Sequence, residues 1–209
     1  MNHPKKSRSP LILPSLVQEQ DHWQQGRDRI AGVDEVGRGC LAGPVVAAAL
    51  ILPKGCAMIS GVQDSKKVSP SRRSRLDPLI RQQAIALGFG LATVLEIEQL
   101  NILQATYLAM KRALDRVSPW DHALIDGKLT ADAGFSAVTA IVGGDRHCYS
   151  ISCAAIVAKV RRDRLMVRLG ARYPGYGWER NMGYGTKEHF QGIKALGLTP
   201  WHRRTFIHV

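Results

Sequence analysis

Acidic residues are scarce against basic ones: 17 Asp and Glu face 29 Lys and Arg, a formal charge of +12 over 209 residues. A surplus of that sign draws polyanions and raises their encounter rate, which points to nucleic acid or an anionic membrane surface. Long apolar runs are missing as well. Nothing approaches the ~20 apolar residues of a membrane helix. The run Leu11-Ile12-Leu13, bracketed by Pro10 and Pro14, is shorter than the ~7 to 15 residues of a secretory core. The membrane reading loses support, and a cytoplasmic chain that meets nucleic acid is expected. Cysteine is sparse. Cys40, Cys56, Cys148 and Cys153 make no Cys-x-x-Cys pair and no zinc-finger spacing, so reduced, buried thiols are the simplest account. The phosphate-loop pattern Gly-x-x-x-x-Gly-Lys-Ser/Thr is absent, which removes the main sequence argument for a nucleotide-phosphate enzyme.

What is present suffices for one substantial core, since 45% of the chain is hydrophobic, and the length favours a single domain at roughly 100 to 200 residues per domain. Residues 1–28 carry three prolines, scattered charge and no sustained core period. They read as a flexible basic N-terminal tail, with at most a short helix leading into a domain over 29–209. Segments 30–36 and 45–52 read as strands joined by a turn over 37–44, close enough in sequence to be antiparallel. Leu76, Leu79, Ile80 and Ile85 fall at helical spacing after Ser69, a natural cap, and Pro70, suited to the first helical position. Further strands are predicted over 88–94, 123–125 and 138–142. Helices are predicted over 100–117, over 153–169 with Ser150 or Ser152 as cap, and over 186–196 with Gly197 as its stop. Segment 173–185, rich in glycine and proline, reads as irregular. The order is mixed α/β, not a regular βαβ wind.

The stretch 31–44, AGVDEVGRGCLAGP, organises the rest. An apolar lead-in ends on Asp34 and Glu35 and passes into Gly37-Arg38-Gly39, where backbone can approach a ligand closely. The apolar run that follows places these acids at the edge of a core. Asp126 repeats the arrangement at the end of another short strand, and Asp145 follows a glycine turn. Each acid alone reads more readily as a turn residue than as a catalytic one, and the inference comes from the set. If the fold gathers these ends, the four make a site of like charges that cations must neutralise, and hard oxygen ligands select Mg²⁺ or Mn²⁺. Because neighbouring strand residues face opposite ways, Asp34 and Glu35 can aim at one ion only if the strand ends or bulges there, or if Glu35 acts through its main-chain oxygen or a water.

Taken with Asp64-Ser65-Lys66-Lys67, Leu124-Ile125-Asp126-Gly127, Gly144-Asp145, Ala158-Lys159-Val160-Arg161-Arg162-Asp163 and Gly183-Tyr184-Gly185-Thr186, the stretch resembles the ribonuclease HII family, in order over 30–206. The resemblance implies an RNase H-like α/β fold, a mixed β-sheet flanked by helices with a helical C-terminal extension. It implies a Mn²⁺- or Mg²⁺-dependent endonuclease acting on RNA/DNA hybrids and on DNA duplexes containing ribonucleotides, as a monomer. Asp34, Glu35, Asp126 and Asp145 would be its catalytic and metal-binding acids. Gly37, Arg38, Gly39 and Tyr184 would recognise the ribonucleotide, with Ser65, Lys66, Lys67 and Lys159 on phosphates and His202-Arg203-Arg204 as a further backbone clamp. Three positions depart from the family pattern: Gly143 stands where lysine is usual, Ala155 where serine is usual, and Met182 where lysine is common. The rival reading is a non-catalytic basic nucleic-acid binder whose acids are structural.

Overall fold

The computed structural model describes residues 13–207. Five strands form one sheet in the order β3-β2-β1-β4-β5, with β1 at Ile30–Val36, β2 at Val45–Ile51, β3 at Ala86–Ala92, β4 at His122–Asp126 and β5 at Val138–Ile141. The eight helices among the described residues are α1 (Val17–Gln24), α2 (Pro70–Gln83), α3 (Val94–Leu100), α4 (Ile102–Asp115), α5 (Gly144–His147), α6 (Tyr149–Arg172), α7 (Trp178–Asn181) and α8 (Lys187–Leu196). None is long and apolar enough to cross a membrane.

Strand β2 is buried at every residue because the sheet is covered on both faces. Its period-2 alternation divides the core: Ala48 and Leu50 pack toward Leu124, Tyr149, Ile151 and Ile156, while Ala47, Ala49 and Ile51 pack toward Tyr107, Met110 and Leu114 of α4. Close approach needs glycine at two points. A Cβ on Gly32 would lie 2.4 Å from Ser150 of α6, and one on Gly90 would lie 1.9 Å from the Ala109 carbonyl of α4.

Strand direction delivers the acids. β1 pairs parallel with β4 in the register Val33↔Ile125, and β4 pairs parallel with β5 in the register Asp126↔Ile141. Their C-terminal ends therefore emerge at one edge of the sheet. The antiparallel pairing of β1 with β2 agrees with the sequence expectation.

Four local expectations are corrected, the simplest being that segment 173–185, expected to be irregular, contains the four-residue α7. Residues 1–12 of the expected tail lie outside the described residues; the short helix expected to lead into the domain is α1, but it is docked and not part of a flexible tail, with Trp23 and Glu19 buried. The helix expected over 100–117 is α4, but the short α3 stands before it where no helix was expected, and the strand expected over 88–94 ends at Ala92. Asn101 adopts φ 69° and ψ 166°, a strained backbone outside the left-handed helical basin, and its Oδ1 accepts from the Leu103 and Gln104 N–H groups, which starts α4 afresh after a short α3 begun by a Thr93–Glu96 capping box. Helix α6 starts before Cys153, and neither Ser150 nor Ser152 caps it. The carboxylate of Glu19 takes that part, accepting from the Ser150 N–H at 2.7 Å, while Ser152 Oγ donates to the Asp145 carbonyl.

Candidate active site

Asp34, Glu35, Asp126 and Asp145 line one cavity of about 230 Å³, together with Gly37, Arg38, Gly39, Ser65, Lys66, Lys159 and Tyr184. Every acid and all but one of the other single-residue candidates thus face the same space; Lys67 lies outside it, exposed. Strand β1 continues through Val36, so it has not ended at the two acids, and yet both reach the cavity. Asp34 is bound back on its own strand, its Oδ1 accepting from the Glu35 N–H at 2.7 Å. Asp126 Oδ1 accepts from the Gly144 N–H at 2.6 Å and so joins the end of β4 to the turn that carries Asp145.

The electrostatics match four crowded acids. Burial pushes the Asp34 carboxyl well above the usual carboxylate range, and Glu35, Asp126 and Asp145 push it the same way. Glu35 is raised by burial and by Asp126, against the pull of Arg38, whose Nη1 lies 3.4 Å from its Oε1. Asp145 is raised by burial, Asp126 and Asp64, against Lys66 and Arg146. Among the described residues no three such side chains already close on a single point as a metal cage. They form instead an oxygen-only wall of mutually repelling carboxylates, a donor set suited to hard divalent cations.

The glycine loop beside the acids is held from beneath by two arginines that sequence reasoning misassigned or passed over. Arg203, expected to clamp nucleic acid, is fully buried. Its guanidinium donates to the carbonyls of Gly37 at 2.7 Å, Arg38 at 2.8 Å and Gly43 at 2.7 and 2.9 Å. His202 is buried too, which leaves only Arg204 of that trio exposed. A planar five-donor fork satisfies clustered carbonyls that lysine could not span. Arg162, also fully buried, donates to the carbonyls of Ala42, Pro44 and Met182 at 3.0, 3.0 and 2.8 Å, tying the glycine loop to the turn before Tyr184. Burial, with Arg162 adding its like charge, brings Arg203 down to about 10. Gly37 has φ 97°, and a Cβ there would fall 2.2 Å from Arg162 Nε. A Cβ on Gly39 meets nothing within 4 Å, so the fold does not need glycine there and the backbone is open to a ligand.

Tyr184 is fixed through its carbonyl. His189 Nδ1 lies 2.9 Å from that oxygen and must carry the proton, since a carbonyl only accepts. His202 Nδ1 accepts from the Thr199 N–H at 2.9 Å, which puts its proton on Nε2. His189 Nε2 then accepts from both Trp178 Nε1 at 2.9 Å and His202 Nε2 at 3.1 Å. Protonating either ring breaks this network, and burial lowers the pKa of both. The Tyr184 ring is partly exposed with the Lys159 ammonium 5.9 Å from its centre, and Lys159 also pairs with Asp163 at 2.8 Å.

The departures from the family pattern have local consequences. Gly143 adopts φ 67°, and the Arg146 guanidinium occupies the space beside it, 4.0 Å from Asp145, so a cation stands near the acid even without lysine at 143. Met182 takes φ 53° and its carbonyl serves Arg162. Ala155 lines the cavity wall.

Comparison with known proteins bears on the family and the fold. The family model described as Ribonuclease HII matches residues 31–209. A ribonuclease HII of Thermosynechococcus vestitus is 67% identical over 193 residues, 92% of this chain and 90% of that protein. Among solved structures, the ribonuclease H2 of Pyrococcus horikoshii superposes with TM-score 0.69 at 25% identity, covering 85% of this chain and 93% of that one. Bst-RNase HIII in complex with Mn²⁺ superposes with TM-score 0.66 at 19% identity, covering 85% and 66%.

Proposed function

The chain belongs to the ribonuclease HII family, and from that premise we propose that Asp34, Glu35, Asp126 and Asp145 are the catalytic acids of a type II ribonuclease H. Its substrates are the RNA strand of RNA/DNA hybrids and single ribonucleotides embedded in duplex DNA. The cut falls 5′ of the ribonucleotide and leaves 3′-hydroxyl and 5′-phosphate ends, a reaction that removes ribonucleotides from DNA. The observation that carries this reading is the single cavity in which the four acids meet the glycine loop, Lys66, Lys159 and Tyr184.

The donor set fits Mg²⁺ or Mn²⁺, held by the four carboxylates. When bound, such ions activate water and stabilise the charge developing at phosphorus. The chain's own residues do the rest. Lys66 and Lys159 place the phosphate backbone without reading sequence, and Ser65 adds a hydroxyl donor. Main-chain groups around Arg38, exposed beside the open face of Gly39, address the 2′-hydroxyl, the group that distinguishes RNA from DNA. The Tyr184 ring packs on the adjoining nucleotide. The protein acts as a monomer in this reading, and four free cysteines suit the cytoplasm.

A labelled duplex with one ribonucleotide, incubated with and without Mg²⁺ or Mn²⁺, tests the proposal. We expect one metal-dependent cut 5′ of the ribonucleotide and none in the all-DNA control. A shift in mobility without cleavage would favour the rival non-catalytic binder.

A further inference from the structure

The basic surplus extends well beyond the active-site cavity. A cleft of about 1080 Å³ opens at the free edge of the sheet, where β3 is outermost, between the C-terminal turns of α4 and the outer face of α6. Arg112, Arg116, Arg161, Arg164 and Arg168 line it against one acid, Asp115. Arg112 is taken up by Glu96 at 2.7 Å, and Arg164 reaches Asp77 at 3.5 Å. Arg116, Arg161 and Arg168 are exposed and have no ion-pair partner among the described residues. Arg161 is held in place, its guanidinium 5.5 Å from the centre of the Phe89 ring on the cleft floor. Arg161, Arg164 and Arg168 share one stripe of α6, and of the three only Arg164 has an acid, Asp77, beside it among the described residues.

The cleft adjoins the site along α6 through a groove that shares lining residues with both. A groove of about 620 Å³ is lined by Arg164 and Arg168, which also line the cleft, and by Lys159 and Tyr184, which also line the active-site cavity. From Lys159 to Arg168 the helix advances about 13 Å at 1.5 Å per residue, the length of about four base pairs at 3.4 Å each.

We propose that this path is a second nucleic-acid contact. The phosphate backbone of a duplex arm leaving the active site continues along α6 and is gripped by Arg116, Arg161 and Arg168 at the β3 edge. The inference rests on the active-site reading above. A sheet edge can also accept an extended peptide as an added strand, but continuity with the cavity favours the substrate's own backbone.

The test compares wild type with the combined variant Arg116→Gln, Arg161→Gln, Arg168→Gln. The probes are two hairpin-closed duplexes that each contain one ribonucleotide, with arms of about two and about twelve base pairs, shorter and longer than the path at 3.4 Å per pair. Binding is measured without divalent ions, so its outcome does not depend on turnover. Wild type should bind the long duplex more tightly. The variant should lose most of that advantage, about tenfold at low salt, and its slope of log affinity against log salt should flatten by roughly 2 to 3, near 0.9 per lost phosphate contact. Asp115→Asn should move affinity the other way. A variant that keeps both the long-arm advantage and the salt slope overturns the proposal, and that is also the result if the cleft takes an acidic peptide. Failure of wild type to cut either duplex when metal is added would instead strike the active-site reading and leave the binding comparison standing.

Discussion

The Gly144 N–H donates to Asp126 Oδ1 at 2.6 Å, so one carboxylate both faces the cavity and fastens the turn that carries Asp145. Asparagine keeps an oxygen for that amide and removes the charge. Asp126→Asn should therefore fold normally, with metal-free thermal stability equal to or above wild type because repulsion on Asp34 is relieved. Turnover should fall ~10³-fold or more, as expected when a principal transition-state stabiliser is lost. A thermal melt and a cleavage assay on the same preparation check both halves. Normal cleavage would sink the metal-site assignment.

Much of this relationship is legible in the chain and some is not. Strand ends carrying acids are visible because each short apolar run stops on a carboxylate, and the glycines beside Arg38 mark a close approach. That β1 and β4 run parallel, and so bring Asp34 and Asp126 together, is a long-range fact that no local pattern carries. Arg203 shows the opposite failure. A basic triplet near the chain end reads as a solvated clamp, yet burial against four hydrogen bonds to carbonyls turns it inward. The start of α6 escaped for a related reason, since its cap, Glu19, comes from a helix 131 positions earlier.

Arg203→Lys tests the inward role. Lysine cannot span the carbonyls of Gly37, Arg38 and Gly43, and each buried acceptor left unpaired costs about 1–3 kcal/mol. Urea denaturation should show a loss of that order. Cleavage at a lone ribonucleotide should fall chiefly through KM, because the reader loop loosens while the acids remain. Unchanged stability and KM would return Arg203 to an ordinary surface role.

Glu19→Ala should destabilise the protein by about 1–2 kcal/mol, the range for loss of a helix N-terminal acceptor. The loss should appear although residue 19 lies outside the acid cavity. Denaturant midpoints at constant slope give the number; an unaltered midpoint would mean that α1 contributes nothing to the start of α6.

The histidine pair makes stability depend on pH in one direction. Burial holds His202 at about 4 and lowers His189, and burial likewise brings His122 to about 4, whereas free imidazoles titrate near ~6.5. Between about 6.5 and 4 the unfolded chain takes up protons that the folded chain refuses, so this stability is complete above that window and declines as pH falls through it. His202→Gln should flatten the decline between pH values in that window. Parallel slopes for wild type and variant would contradict the neutral-network account.

Tyr184→Ala should reduce cleavage at a lone embedded ribonucleotide by roughly 1 to 3 kcal/mol of transition-state stabilisation, the range for truncating a base-stacking aromatic. Long RNA/DNA hybrids, which offer many binding registers, should suffer less. Side-by-side rates under one metal condition decide it. Equal losses on the two substrates would make Tyr184 a general contact and place junction sensing elsewhere.

The central claim is that the four acids of one cavity hold the ion that the chemistry needs. It is tested most directly by titrating Mn²⁺ into wild type, Asp34→Asn, Glu35→Gln, Asp126→Asn and Asp145→Asn, and measuring cleavage of the single-ribonucleotide duplex by each protein. Affinity for the ion and turnover should fall together in the four variants while their melting profiles stay cooperative. A variant that loses turnover with unaltered Mn²⁺ affinity, or keeps both, would contradict the claim for that residue, and that result in all four would overturn the site.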